Sequence, residues 1–153
     1  MNTKDIAHAL ESFSARSRSA VAAAEGKALE DAKREALASS SGPLTKRDLR
    51  RMDHPFARRH GQALTDPEII NKGGGDFYRD WQTEPVTATG DGTEGRLFND
   101  SKSAHWLSRG GKGKSKMVAR PVIARIKRLV QPERKRRTLA ALKQAGQSVF
   151  NQS

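Results

Sequence analysis

Two strings in this chain carry residue types that catalysis uses. Ser108-Arg-Gly-Gly-Lys-Gly-Lys-Ser115 departs from the phosphate-cradling pattern G-x-x-x-x-G-K-S only in placing Ser where the first Gly belongs. That loop works because a following helix aims its amides and dipole at phosphate. Here Pro121 lies only six residues past Ser115, and the sole acid downstream, Glu133, sits in a run of Arg and Lys where it could not hold magnesium. The string therefore reads as a flexible cationic loop. The second set is His54, His60 and Asn71, since imidazole and amide groups can hold a divalent ion while another His activates water. Arg58 and Arg59 lie between the two histidines and would repel a cation there. A structural hydrogen bond from His54 across the turn before Pro55 is the better expectation. No nucleophile-elbow string or paired-carboxylate pattern stands out elsewhere, so the expectation is a protein with no catalysis, no cofactor and no metal.

A third set does its chemistry by charge. Residues 109–137 hold twelve Lys or Arg against one acid, Glu133, and so carry +11 of the formal +12. Residues 1–108 balance at sixteen basic and sixteen acidic side chains, and the last sixteen residues add only Lys143. Such a run repels itself, and salt screens that repulsion only in part. Nucleic-acid phosphate or an acidic protein surface is the class of partner it calls for. The polyanion-contact residues expected are Lys112, Lys114, Lys116, Arg120, Arg125, Lys127, Arg128, Arg134, Lys135, Arg136 and Arg137. Residues 109–137 contain no aromatic side chain, no Asn and one Gln, Gln131, so they are poorly equipped to stack on or read bases. Contact with backbone phosphate, non-specific and salt-sensitive, is what such a segment offers.

The elements that must position these charges are legible from periodicity. Between Asp5 and about Ser39 the positions Ile6, Leu10, Phe13, Ala20, Ala24, Ala28, Ala32 and Ala36 recur at helical spacing. They predict one long helix whose stripe turns from large side chains to alanine, packing closely but burying little. It would lie either on its own domain or as an arm on a neighbouring subunit. Ser39-Ser-Ser-Gly-Pro43 ends it. Thr45 as N-cap, Asp48 three residues on and the pair Leu44/Leu49 mark a second, short helix that stops before Pro55. Residues 76–87, 95–99 and 103–108 read as strands of a small antiparallel sheet, with a loop over Thr87–Thr93 and a turn over Asn99–Lys102. From Pro121, the positions Val122, Ile123, Ile126, Leu129 and Val130 predict a helix that covers the sheet. Pro132 should interrupt or restart it, with a further amphipathic turn or two around Leu139, Leu142 and Val149.

The fold class expected is α+β: a small antiparallel sheet packed by helices, with a long N-terminal Ala-rich helix and a basic C-terminal helix. Three segments are expected: an N-terminal arm over 1–43, a core domain over 44–131 and a tail over 132–153. A hydrophobic content of 35% and an aromatic content of 5% allow only a modest core, stable chiefly in an assembly. The absence of cysteine excludes disulfides and zinc–thiolate sites and suits a reducing cytoplasm. No apolar run approaches a membrane span, and the opening residues lack the order of a signal peptide, so a soluble protein is expected.

The order of parts resembles a known family. A capped short helix leads into Asp53-His-Pro-Phe-Ala-Arg-Arg-His-Gly61, then a Gly- and aromatic-bearing strand. Gly95-Arg-Leu-Phe-Asn99 follows, then Ala104-His-Trp-Leu107 before a Gly loop, and Met117-Val-Ala-Arg-Pro-Val122 opening a helix. Over roughly residues 44–130 this is similar to the neck or tail-completion (head–tail joining) proteins of long-tailed bacteriophages. The resemblance implies a non-catalytic virion subunit, assembled in the host cytoplasm as a homo-oligomeric ring, six-fold favoured over twelve-fold, around the channel through which genomic DNA passes. Its partners would be connector and tail-terminator or tail-tube proteins, with no membrane involved. Its subunit contacts would map to Gly110, Gly111, Met117, Arg120 and Pro121. Here the Gly loop is longer and more cationic than expected, and the long first helix and the tail after Pro132 have no clear counterpart. A free-standing, basic, non-specific nucleic-acid-binding module is the other reading.

Overall fold

The computed structural model describes residues 3–43, 46–51, 70, 76–89, 92–104 and 122–150. The fold is α+β. In chain order the elements are helix α1 (Thr3–Ser39), helix α2 (Lys46–Arg51), the helical turn α3 (Asp76–Arg79), strands β1 (Trp81–Ala88) and β2 (Thr93–Asn99), and helix α4 (Val122–Phe150). The two strands pair antiparallel into a two-stranded sheet. The expected first helix ends at Ser39, where its stop signal put it, and the second is found over Lys46–Arg51; Thr45 and the expected stop before Pro55 lie outside the described residues.

The chain divides into two compact units, each gathered from distant stretches of sequence: Met1–Asp31 with Thr83–Arg96 and Val130–Ser153, and Ala32–Gln82 with Leu97–Leu129. In the first unit α1 and α4 run antiparallel, as the contacts Arg16–Ser148 and Glu25–Thr138 require. Ala24, Ala28 and Ala145 are its buried apolar residues among those described. Gly95 on β2 also belongs here: a Cβ at this position would stand 2.7 Å from Val86 Cγ2 and 3.5 Å from Leu29 Cδ2. Glycine is what lets the strand approach its neighbours so closely.

In the second unit the buried apolar residues among those described are Ala36, Ile70, Trp81, Val122 and Ile126. The serines that end α1 do more than stop it. Ser40 Oγ donates to the Ala36 carbonyl at 2.7 Å and accepts the Trp81 indole N–H at 2.9 Å, so a buried hydroxyl is fully used. Ser39 and Ser40 are each 1% exposed. Ile70 accepts from the Gly42 amide and donates to the Ser39 carbonyl, which ties the chain after α1 to a distant segment.

The sheet differs from expectation in its bounds. Asp76–Arg79 is a helical turn, not the start of a strand, and its Phe77 ring meets Trp81 edge-on, with centroids 5.5 Å apart. Asn99 Nδ2 holds that turn through the Phe77 carbonyl at 2.7 Å. Strand β1 extends through Thr87 and Ala88, leaving a hairpin connection over residues 89–92 that the Thr89 amide closes on the Gly92 carbonyl. Asn99 Oδ1 accepts the Ser101 amide, an Asx turn at the expected place. The third expected strand, 103–108, is not seen at Ser103 and Ala104, which lie in a turn with helical geometry; residues 105–108 lie outside the described set.

Helix α4 overturns two expectations. It passes through Pro132 without interruption. Proline only removes one amide donor and crowds the preceding turn, and at an exposed position the carbonyl it orphans can be met by water. Its inward stripe is also not the leucine-rich one: Leu139 and Leu142 are exposed, and Ala145 is buried instead. Of the expected first stripe, Val122 and Ile126 are buried while Ile123 and Leu129 are exposed. Among the described residues no helix is long and apolar enough to cross a membrane.

Candidate polyanion-contact site

The expected site divides between described and undescribed residues. Gly110, Gly111, Lys112, Lys114, Lys116, Met117, Arg120 and Pro121 lie outside the described set, as do His54, His60, Asn71 and the whole Ser108–Ser115 string. The remaining seven cations, Arg125, Lys127, Arg128, Arg134, Lys135, Arg136 and Arg137, are all carried by α4. One helix therefore presents them all, whereas an interruption at Pro132 was expected to put Arg134–Arg137 on a following turn.

What periodicity did not predict is that four of the seven face carboxylates of this same chain. In the second unit Arg125 Nε lies 3.6 Å from Glu35 Oε1. In the first unit Arg134 Nε donates to Glu25 Oε2 at 2.6 Å, and Arg137 Nη1 donates to Asp31 Oδ2 at 2.6 Å. Thr138 Oγ1 lies 3.1 Å from Glu25 Oε1 and 3.0 Å from the Arg134 carbonyl, so its one hydrogen serves one of them at a time. Arg16 closes the far end of this helix pair by donating to the Ser148 carbonyl at 3.2 Å. The α1 acids Glu25 and Asp31 thus clasp α4 by charge-assisted hydrogen bonds.

Glu133, the only acid of the basic run, sits at its centre. Arg136 reaches it through two nitrogens at 2.9 and 2.8 Å, and Arg137 Nε donates to it at 2.9 Å. The hydrogen bond from Arg136 is the main reason the Glu133 carboxyl titrates below its ordinary value; desolvation opposes it, and the charge of Arg136 and the contact with Arg137 add further lowering. The same contact raises Arg136, and the hydrogen bond to Asp31 is the leading cause of the rise at Arg137. A glutamate three and four residues before two arginines is the favourable order on a helix. Lys127 and Lys135 are exposed and form no ion pair among the described residues, and Arg128 is exposed.

The sequence held a signal for these partners. Four of the six acids on α1 fall within residues 25–35, beside the positions Ala24, Ala28 and Ala36 that α1 buries. Acids flanking one small-residue stripe and cations flanking another are the mark of paired helices. The charge balance of residues 1–108 hid it by averaging. Along the same pair, an open groove of about 600 Å³ is lined by Ala20, Ala23, Ala24, Ala140, Ala141 and Ala145. Arg16, Lys27 and Arg137 line it as well. Among the described residues no group of His, Asp and Glu is placed to hold a metal ion.

Comparison with protein-family models, with curated proteins and with solved structures finds no match to this chain.

Proposed function

We propose that the chain is a structural subunit of the bacteriophage head–tail connector, a neck or tail-completion ring surrounding the DNA channel. One observation carries the reading beyond the order of its motifs. Of the eight buried apolar residues among those described, four are alanine, while six large apolar side chains, Ile6, Leu10, Ile123, Leu129, Leu139 and Leu142, are exposed. A fold that buries so little of its apolar content alone gains stability by association. A two-stranded sheet also leaves strand edges for a neighbour to complete.

The charge pattern fits the same role. Arginines matched by Glu25, Asp31, Glu35 and Glu133 hold the subunit together, and the cations left over, such as Lys127 and Lys135, are repeated around a ring. That repetition makes a cationic collar suited to DNA in transit or to an acidic ring stacked on this one. A free-standing nucleic-acid-binding module is less well supported, because that role needs the arginines its own carboxylates engage. The test is sedimentation velocity and electron microscopy of the full chain, alone and co-expressed with connector and tail-tube proteins. Closed rings or co-assembly are expected. A monomer that joins no virion ring, yet binds duplex DNA with a steep salt slope, would overturn the proposal in favour of the module.

A further inference from the structure

The groove along α1 and α4 lies wholly within the first compact unit, and its lining joins apolar surface to positive charge. It runs from Arg16 to Lys27 on α1 and from Arg137 to Ser148 on α4, at three- and four-residue spacing on both helices. Eleven residues on each side span ~16 Å. Between those ends the lining is alanine apart from Gln144, and Ala23 and Ala140 are exposed.

Methyl groups offer a ligand no hydrogen bond. An extended peptide lying there would leave backbone amides and carbonyls without partners on that side, whereas a helix satisfies its own. Alanine on both helices also lets a third one approach closely, because the side chains at a contact set the distance between helix axes.

Charge decides which helix fits. Three cations, Arg16, Lys27 and Arg137, line the groove, and no acid does. Arg137 is engaged by Asp31 and Glu133. Arg16 donates to the Ser148 carbonyl, an uncharged partner, and Lys27 is exposed, so among the described residues neither faces a carboxylate. Residues 16–27 and 137–148 hold five cations, Arg16, Arg18, Lys27, Arg137 and Lys143, against one acid, Glu25, which Arg134 engages. The exposed Glu30 is one turn beyond Lys27 and outside the lining. A second copy docked groove to groove would set these cations against themselves. Duplex DNA would meet the cations and leave the alanines without apolar contact.

We infer that this groove receives a helix of another protein, with apolar side chains against the alanines and carboxylates placed for Arg16 and Lys27. Those two cations are eleven residues apart on α1, so the partner's carboxylates sit about three turns apart on a helix lying along the groove. The contact goes beyond the ring proposal and does not depend on it.

Fluorescence anisotropy on the full-length chain tests it with designed helical peptides as probes. One carries leucines along one face and two glutamates about three turns apart beside them; a second has lysines for the glutamates; a third scrambles the first. The acidic peptide should bind about tenfold or more tighter than either of the others. Ala23→Phe with Ala140→Phe fills the groove from two exposed positions and should weaken that binding by about tenfold, with helix content unchanged by circular dichroism. Arg16→Glu with Lys27→Glu should reverse the preference, so that the lysine peptide binds tighter. That reading is a ratio of two peptides on one protein, so it stands even where a variant loses some stability. Equal binding of the acidic and scrambled peptides would overturn the inference, as would a preference that survives the charge reversal. Duplex DNA or phosphatidylglycerol vesicles that displace the acidic peptide, and whose own binding the two phenylalanines abolish, would overturn it in favour of a phosphate ligand. Peptide binding is read on the chain in whatever oligomeric state it adopts, so its failure leaves the ring proposal to its own test.

Discussion

In the unit formed by Ala32–Gln82 and Leu97–Leu129, the buried residues include Trp81, Ile70, Val122 and Ile126, and the indole N–H is met by Ser40. In the other unit the buried apolar residues among those described are Ala24, Ala28 and Ala145, and the contacts between helices are Arg134 to Glu25, Arg137 to Asp31 and Arg16 to Ser148. Burying a large apolar side chain is worth about 1.5–3 kcal/mol, whereas an exposed ion pair contributes about 0–1 kcal/mol. The difference teaches where each part of the chain finds its stability. One unit has an interior of its own; the other is a helix pair held by small residues and charge.

Breaking the interior should have the largest effect. Trp81→Ala should cost about 3–5 kcal/mol in urea unfolding, because it empties the largest buried site and leaves Ser40 without its donor. Ser40→Ala sharpens that measurement: it keeps the ring but strips the buried indole N–H of its acceptor, for about 1–3 kcal/mol. In the helix-pair unit the most sensitive position should be Gly95, where Ala brings a Cβ to 2.7 Å from Val86 Cγ2. Gly95→Ala should cost about 1–3 kcal/mol, and Val86→Ala in the same chain should recover part of that cost in a double-mutant cycle.

Breaking the clasp should have less effect and should depend on solvent. Arg134→Met removes a pair whose arginine is 56% exposed and should cost under about 1 kcal/mol, a loss that shrinks further in high salt. Trp81→Ala should be nearly indifferent to salt, so the ratio of the two effects measured at low and high ionic strength is a direct check on the comparison. The smallest effect is in pH. Folding lowers the Glu133 carboxyl from its ordinary 4.5, so its contribution is fully present above that value and is lost as pH falls through the lowered one. Melting temperatures of the parent and of Glu133→Gln should therefore converge only below about pH 4.5. Convergence at higher pH would show that the arginines do not hold this carboxylate.

Much of the architecture was legible in residue order because it follows from local rules. The Ser-Gly-Pro stop after Ser39, the cap signals before Lys46 and the Asx turn at Asn99 each act over three or four residues, and each element boundary fell where they put it. Pro132 misled because a proline's effect depends on whether the carbonyl it orphans can reach water, which is a question of exposure. The leucines of α4 misled for a related reason. Their size suggests an interior, but which face of a helix is covered depends on where its partner lies, and α1 offers alanines that only close-packing small residues can match. The cationic site was legible as a charge run and not as a set of pairs, since Glu25 stands 109 positions from Arg134.

By itself the sequence determined that the chain makes a long first helix, a small antiparallel sheet and a basic C-terminal helix, that its core is small, and that its positive charge is concentrated near one helix. These depend on composition and on short-range periodicity, which a linear reading contains. Only the tertiary structure decided which arginines on α4 face carboxylates of the same chain, that Ser39 and Ser40 are interior, and that Leu139 and Leu142 face outward. Those properties arise from the antiparallel register of α1 and α4 and from contacts between residues far apart in the chain, and no local spacing records them.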